Sequence, residues 1–248
     1  RRSKIDPAYY VGRGKAEEIA AAVKTLDANA IICDDELSPV QIRNLEKLTE
    51  VQIIDRTMLI LDIFAQRAKT SEGKIQVELA QLQYMMPRLT GKGIELSQEG
   101  GGIGTRGPGE TKLETDRRHI RRRIHRLKQE LKQIQKSRQL IIKSRRFPVI
   151  SLVGYTNAGK STLMNALTNA KVVTGDRLFE TLDTTTRGLM LPDGRKVLVS
   201  DTVGFIRKLP HHLVEAFKAT LEEVKEADVL ILVADGSSPV LDEEIATV

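Results

Sequence analysis

Eight consecutive residues, Gly154, Tyr155, Thr156, Asn157, Ala158, Gly159, Lys160 and Ser161, satisfy the spacing G-x-x-x-x-G-K-[ST]. The chemistry that suits this spacing is capture of a polyphosphate. The glycines let successive backbone N–H groups turn inward as an anion nest, and a helix opening at Lys160 adds the partial positive charge of its N-terminus. Lys160 is expected to pair with the β- and γ-phosphates, Ser161 to ligate Mg²⁺, and Thr162 to lie in the same first turn. Some forty residues on, Asp201-Thr202-Val203-Gly204 follows the apolar run KVLVS. Alone, D-x-x-G occurs by chance; at a strand end after a P-loop it is where a magnesium aspartate belongs. Asp201 is expected to hold the ion through water, and the Gly204 N–H to contact the γ-phosphate.

Between the two motifs lies LFETLDTTTRG, in which Phe179, Glu180, Thr181, Leu182 and Asp183 are expected to border the nucleotide. Thr181 stands about twenty residues from both Ser161 and Asp201, a balanced placement for a switch threonine on the metal. Thr184 and Thr185 are the reserve candidates, and a threonine-rich stretch equally favours β structure. Catalysis is assigned to Lys160, Gly204 and Asn157. The position after Gly204 is Phe205, where many GTPases place a water-orienting Gln; an apolar side chain cannot do that, so slow intrinsic hydrolysis is expected. Asn157 has two readings that the residues leave open. It is either a turn-favouring residue or a K⁺ ligand that brings positive charge to the transition state. The histidines, His119, His125, His211 and His212, show no metal-ligand spacing, so no transition-metal site is expected.

These residues sit in a chain of 248 with net charge +6, 40% hydrophobic and 4% aromatic residues and no Trp. Such a core is built from Leu, Ile, Val and Ala, and the length suits two modest domains. The single cysteine, Cys33, excludes an internal disulfide framework. No run of about 18 apolar residues is present, and the first residues lack a secretory signal, so a soluble, cytoplasmic protein is expected. The charge is unevenly placed. Residues 112–146 hold 14 Lys and Arg against three acids, a local +11 that leaves −5 for the rest. Solvated helix faces usually interleave both signs. Arg117, Arg118, Arg121, Arg122 and Arg126, with Lys112 and Arg106 just before them, are therefore read as contacts to nucleic acid.

The elements that must position these groups are legible as periodicities. Residues 14–26 form a helix with Ile19, Val23 and Leu26 at helical spacing, AIIC a strand, a helix capped by Ser38 with Pro39 at its first position follows, and VQIID is a second strand. Since this α/β unit, residues 1–56, begins in mid-pattern, preceding residues are expected. Residues 57–147 read as helices. One stripe runs Ile75, Leu79, Leu82, Met86, Leu89; another runs Ile120, Ile124, Leu127, Leu131, Ile134, Ile141 with one position skipped. Two stripes joined by one loop predict an antiparallel helical hairpin. The loop, residues 90–112, carries eight glycines from Gly91 to Gly109 and is read as a close-approach element rather than a spacer. From residue 148 strands alternate with helices, with a hairpin through PDGR and a helix over 210–225. This predicts a P-loop α/β domain with a mostly parallel sheet.

The P-loop, FETLDTTTR, DTVGFIRKLP and above all GGGIGTRGPGETKLETDRR resemble the HflX family of translational GTPases over nearly the whole chain. The resemblance implies a G domain behind a family-specific domain, GTP and GDP as ligands, with ATP a further substrate of some members. It also implies Mg²⁺, binding to the large ribosomal subunit and its RNA, and splitting or rescue of stalled ribosomes by a factor expected to be monomeric. The guanine-reading N-K-x-D is not among the 248 residues, so preference for guanine is carried by resemblance alone. An alternative is an RNA-binding module with a regulatory, slowly hydrolysing nucleotide site.

Overall fold

In a computed structural model of the chain, residues 5–89, 112–143, 147–168, 179, 184–209 and 224–248 are described. The chain divides into two compact units, Arg1–Asp62 with Gln83–Arg121 and Ile63–Leu82 with Arg122–Val248.

The first unit carries α1 (Arg13–Leu26), β1 (Ala30–Cys33), α2 (Pro39–Thr49) and β2 (Gln52–Asp55). β1 and β2 pair in parallel, Ala30 opposite Gln52, an arrangement that requires a crossover, here α2. The start of α2 is set by a reciprocal capping box: Ser38 Oγ accepts from the Gln41 N–H at 3.2 Å, Gln41 Oε1 accepts from the Ser38 N–H at 2.9 Å, and Pro39 follows. The buried line of α1 is Ala16, Ala20 and Val23, while Leu26, read from the sequence as a core position, is 76% exposed. Two alanines on the inner face let the helix approach closely, and the helix ends at Asp27 in a left-handed turn that leaves Leu26 outside. Ala16, Leu37, Leu45 and Ile53 form the core of this unit, with Tyr9, Ile31, Ile42 and Leu48 packed around them.

Three helices follow, α3 (Arg56–Arg67), α4 (Ser71–Met85, continued by a 3-10 turn over Met86–Leu89) and α5 (Lys112–Lys143). Asp55 at the end of β2 is fully buried and accepts from the N–H groups of Leu37 and Met58, at 3.0 and 2.9 Å, and from the Tyr84 hydroxyl at 2.6 Å. On α4 the stripe expected at Ile75, Leu82, Met86 and Leu89 is only half-buried; the fully buried line is Gly73, Val77, Ala80 and Tyr84, with Gln76 and Leu79 beside it. Apolar residues lie on most of this helix, so periodicity alone does not fix its inner face. On α5 Leu127 is fully buried and Ile120, Ile124, Leu131 and Ile134 are half-buried, as the stripe predicts, while the side chain of Ile141 lies outside the described residues. Within the second unit α4 and α5 run antiparallel. Arg123 grips Glu78 with two bonds of 2.7 and 2.8 Å, and Arg138 grips Glu72 at 3.1 and 3.2 Å.

The rest of the second unit comprises β3 (Val149–Val153), α6 (Lys160–Thr168), β4 (Thr185–Met190), β5 (Lys196–Asp201), β6 (Val229–Leu232) and α7 (Leu241–Thr247). The sheet order is β4-β5-β3-β6. β3 pairs in parallel with β5 and β6, whereas β4 is antiparallel to β5 through a turn at Gly194, whose φ of 84° favours glycine. This is the mostly parallel sheet with one hairpin that the sequence predicts. Leu152, Met164 and Val199 form its core under α6. Of the helix expected over 210–225, residues 210–223 lie outside the described residues.

Candidate phosphate and magnesium site

The carboxyl ends of β3 and β5 lie side by side, with Leu152 opposite Asp201, and this register brings the two motifs together. Ligands of open α/β sheets bind at this edge. Beyond the strands the motifs are stitched directly. The Phe205 N–H donates to Gly154 O at 3.0 Å and the Thr156 N–H to Phe205 O at 2.8 Å, while Thr202 Oγ1 donates to Leu152 O at 2.7 Å.

This closeness dictates the glycines. A Cβ on Gly204 would stand 2.5 Å from Thr156 Cα and 3.0 Å from Lys160 Nζ, and a Cβ on Gly154 would stand 2.1 Å from Val233 O. Gly159 instead needs its φ of 88°, and Asn157, the exposed tip of the loop, adopts a φ of 62° that asparagine tolerates.

Lys160 is 6% exposed and folds back beneath the loop, its ammonium donating to the carbonyls of Tyr155 (2.8 Å) and Gly154 (3.2 Å). An ammonium has three donors, so one is left for an incoming phosphate. Burial pushes the Lys160 pKa down to about 8, against the opposing pull of Asp201. Ser161 Oγ donates to Asp201 Oδ2 at 2.6 Å. Hydroxyl and carboxylate oxygens are the donors that a hard cation such as Mg²⁺ takes, so the residues present fit that ion.

Two P-loop side chains have positions that spacing did not reveal. Thr156 Oγ1 accepts from the Phe179 N–H at 3.2 Å, and the Tyr155 hydroxyl accepts from the Arg207 N–H at 3.2 Å. The loop thereby touches the segments on both of its flanks. The Phe179 ring is 2% exposed and meets Phe64 of α3 edge to face, centroids 4.7 Å apart, so this side chain serves packing while its backbone lies at the loop. Thr184, a reserve metal candidate, accepts from Arg138 Nη2 at 2.8 Å. Glu180, Thr181, Leu182 and Asp183 lie outside the described residues, as do Arg106 and the side chain of Lys112. Ala158 is half-exposed beside the nest, Thr162 is exposed, and Val203 is buried. Of the arginines read as RNA contacts, Arg118, Arg121, Arg122 and Arg126 are exposed and Arg117 is half-buried.

Sequence reasoning missed Arg138, Glu72 and Phe64. A signal for the first was present: the position skipped in the α5 stripe, four residues after Ile134, is Arg138. A charged residue in register with an apolar stripe requires a partner there.

Residues 1–65 match the family described as GTP-binding GTPase N-terminal, residues 67–145 that described as GTP-binding GTPase Middle Region, and residues 149–248 that described as 50S ribosome-binding GTPase. The chain is similar to proteins named GTPase HflX: 57% identical to that of Caldanaerobacter subterraneus subsp. tengcongensis and 53% to that of Escherichia coli K12, in each case over 100% of this chain and 59% of the relative. Among solved structures, a complex of SsGBP with GDP superposes with a TM-score of 0.53 at 29% identity, covering 99% of this chain and 65% of that one. The chain thus spans about three fifths of the length of the curated relatives it matches.

Proposed function

Because the chain belongs to the HflX family of GTPases, we propose that it binds GTP with Mg²⁺, hydrolyses it to GDP and phosphate, and couples that cycle to the large ribosomal subunit. The observation that carries this reading is the Ser161–Asp201 contact of 2.6 Å beside the buried Lys160, a ready grouping of hard-cation donors and a cation for phosphate. Ser161, Asp201 and, from the sequence, Thr181 would hold the magnesium, which when bound neutralises charge on the β- and γ-phosphate oxygens. Engagement of Thr184 by Arg138 favours Thr181 over Thr184 for this role.

The protein's own groups supply the remaining effects. The nest and the α6 N-terminus orient the phosphates, Lys160 offers its third donor to them, and the Gly204 N–H is the donor that would meet a γ-phosphate oxygen. Phe205 cannot align the attacking water, so turnover in isolation is slow and a group outside this segment completes the site. Asn157, exposed at the loop tip, is the residue that would hold K⁺, an ion that would supply positive charge as an arginine finger does.

The exposed arginines of α5 support a ribosome-facing surface on the same chain. Phosphate contacts through them give affinity that falls with salt. Splitting or rescue of stalled ribosomes by a cytoplasmic, monomeric factor follows from kinship with proteins of that family. Multiple-turnover GTP hydrolysis by the full-length protein, with and without large subunits and in potassium or sodium chloride, tests the whole reading. Stimulation by large subunits, greater in potassium, is expected. Subunit binding with background turnover throughout would make the chain a regulated RNA-binding module, and equal rates in the two salts would remove K⁺ alone.

A further inference from the structure

Tyr155 fills the second position of the P-loop, one that the spacing G-x-x-x-x-G-K-[ST] leaves open to any residue. The fold nevertheless uses it at both ends. Its carbonyl accepts from Lys160 Nζ at 2.8 Å, its backbone lies opposite Phe205 in an isolated parallel bridge, and its hydroxyl accepts from the Arg207 N–H at 3.2 Å. Arg207 is held a second time, by an ion pair from its guanidinium to Glu243 in the first turn of α7. Tyr155 also lines one crevice with Val233, Ala234 and, from α7, Ile245. All of these residues belong to one compact unit. Residues 205–207 are thereby tied down at both ends immediately after Gly204, itself in close approach to Thr156. The chemistry assigned above gives the Tyr155 hydroxyl, Arg207 and Glu243 no part.

We infer that Tyr155 is a positioning residue: its hydroxyl, with Glu243 as a second tie, holds residues 205–207 on the P-loop and so fixes the Gly204 N–H before a triphosphate arrives. A donor fixed in advance removes an ordering cost from binding. The gain belongs to the triphosphate, because the nest and Lys160 meet the phosphates that a diphosphate also has. Of the two ties the hydroxyl carries more. The Arg207 and Glu243 side chains are 51% and 56% exposed, where water and salt screen an ion pair.

This inference rests on the proposed GTP reading, and its test separates the two. Affinities of the full-length protein for GDP and for a non-hydrolysable GTP analogue, both with Mg²⁺, are measured for wild type, Tyr155→Phe, Glu243→Arg and the swap that combines Arg207→Glu with Glu243→Arg. Tyr155→Phe loses one oxygen and keeps the ring; it is expected to weaken the analogue about fivefold relative to GDP, the weight of one hydrogen bond. Glu243→Arg sets two cations against each other and should weaken the analogue about twofold relative to GDP, a loss that the swap recovers and high salt erases. Tyr155→Phe leaves the packing of the ring in place and keeps the test standing where the charge variants unfold. Equal losses for GDP and analogue in Tyr155→Phe would make the hydroxyl a tie of the fold alone and overturn the inference, as would wild-type or tighter analogue binding; the nucleotide site would stand in each case. A swap no better than Glu243→Arg would overturn the part given to Glu243. Wild-type protein that binds neither nucleotide would remove the functional reading and the inference with it.

Discussion

Lys160 concentrates the residue-scale physics of the site. A buried ammonium with a pKa of about 8 is half neutral near that pH in the empty protein, while phosphate favours the charged form. Nucleotide binding should therefore take up about half a proton per site at pH 8, and affinity should fall as pH rises through that value. Calorimetry of GDP binding in buffers of differing ionisation heat reads the proton directly; uptake independent of pH between 7 and 9 would contradict the burial argument. The stability linkage has the matching sign. Because the folded pKa lies below the unfolded value of 10.5, the unfolded chain binds more protons between about 8 and 10.5, and the empty protein gains stability as pH rises through that window. Lys160, Ser161, Asp201 and Gly204 were all legible in the sequence, because phosphate chemistry demands those types at those spacings. Arg138 was not. Its place in the α5 stripe marks it as needing a partner, but nothing local says which partner until α4 brings Glu72 beside it.

At the scale of elements, α5 separates two kinds of arginine that composition treats alike. Arg121, Arg122 and Arg126 are exposed, whereas Arg123, in the same run, is drawn to Glu78 and holds that carboxyl below its ordinary range. Charge removal at Arg121, Arg122 or Arg126 should weaken RNA binding and lower the slope of log affinity against log salt by about one per residue. Arg123→Met should leave that slope unchanged and lower the melting temperature only slightly, because a solvent-screened pair contributes little stability. Filter binding across a salt series and thermal melts distinguish them; equal slopes for all four would make the arginine face a solvated one. The described helices lie where their periodicities put them. Their buried faces were less so: on α1 and α4 small residues such as Ala16, Ala20, Gly73 and Ala80 take the inside while larger ones stay half-exposed. Hydrophobic size ranks candidates for the core, but close approach between elements selects for small side chains.

At the scale of the molecule, the Gly-rich stretch and the candidate nucleotide site are distinct parts of one sequence, and the proposed function gives them separate roles. Deleting residues 100–109 should leave GDP affinity within about twofold and abolish splitting of ribosomes, followed by sedimentation with GTP present. Splitting at the wild-type rate would reduce the loop to a spacer. Compactness divides the chain differently from its motifs: the contact-based boundary runs through α3, α4 and α5, so the helices belong in part to the sheet that carries the P-loop. No helix among the described residues is long and apolar enough to cross a membrane.

The sequence by itself determined the spacing of the candidate phosphate-binding residues, the parallel sheet that presents them and the concentration of positive charge on one segment. Each follows from local rules, a spacing, a period or a count, that hold whatever the rest of the chain does. Only the tertiary structure decided which arginine of that segment reaches Thr184, that Phe179 turns its ring onto Phe64, and that Gly204 has no room for a Cβ against Thr156. These depend on the distance and orientation between elements far apart in the chain, which the packing of the whole unit sets and no local pattern encodes.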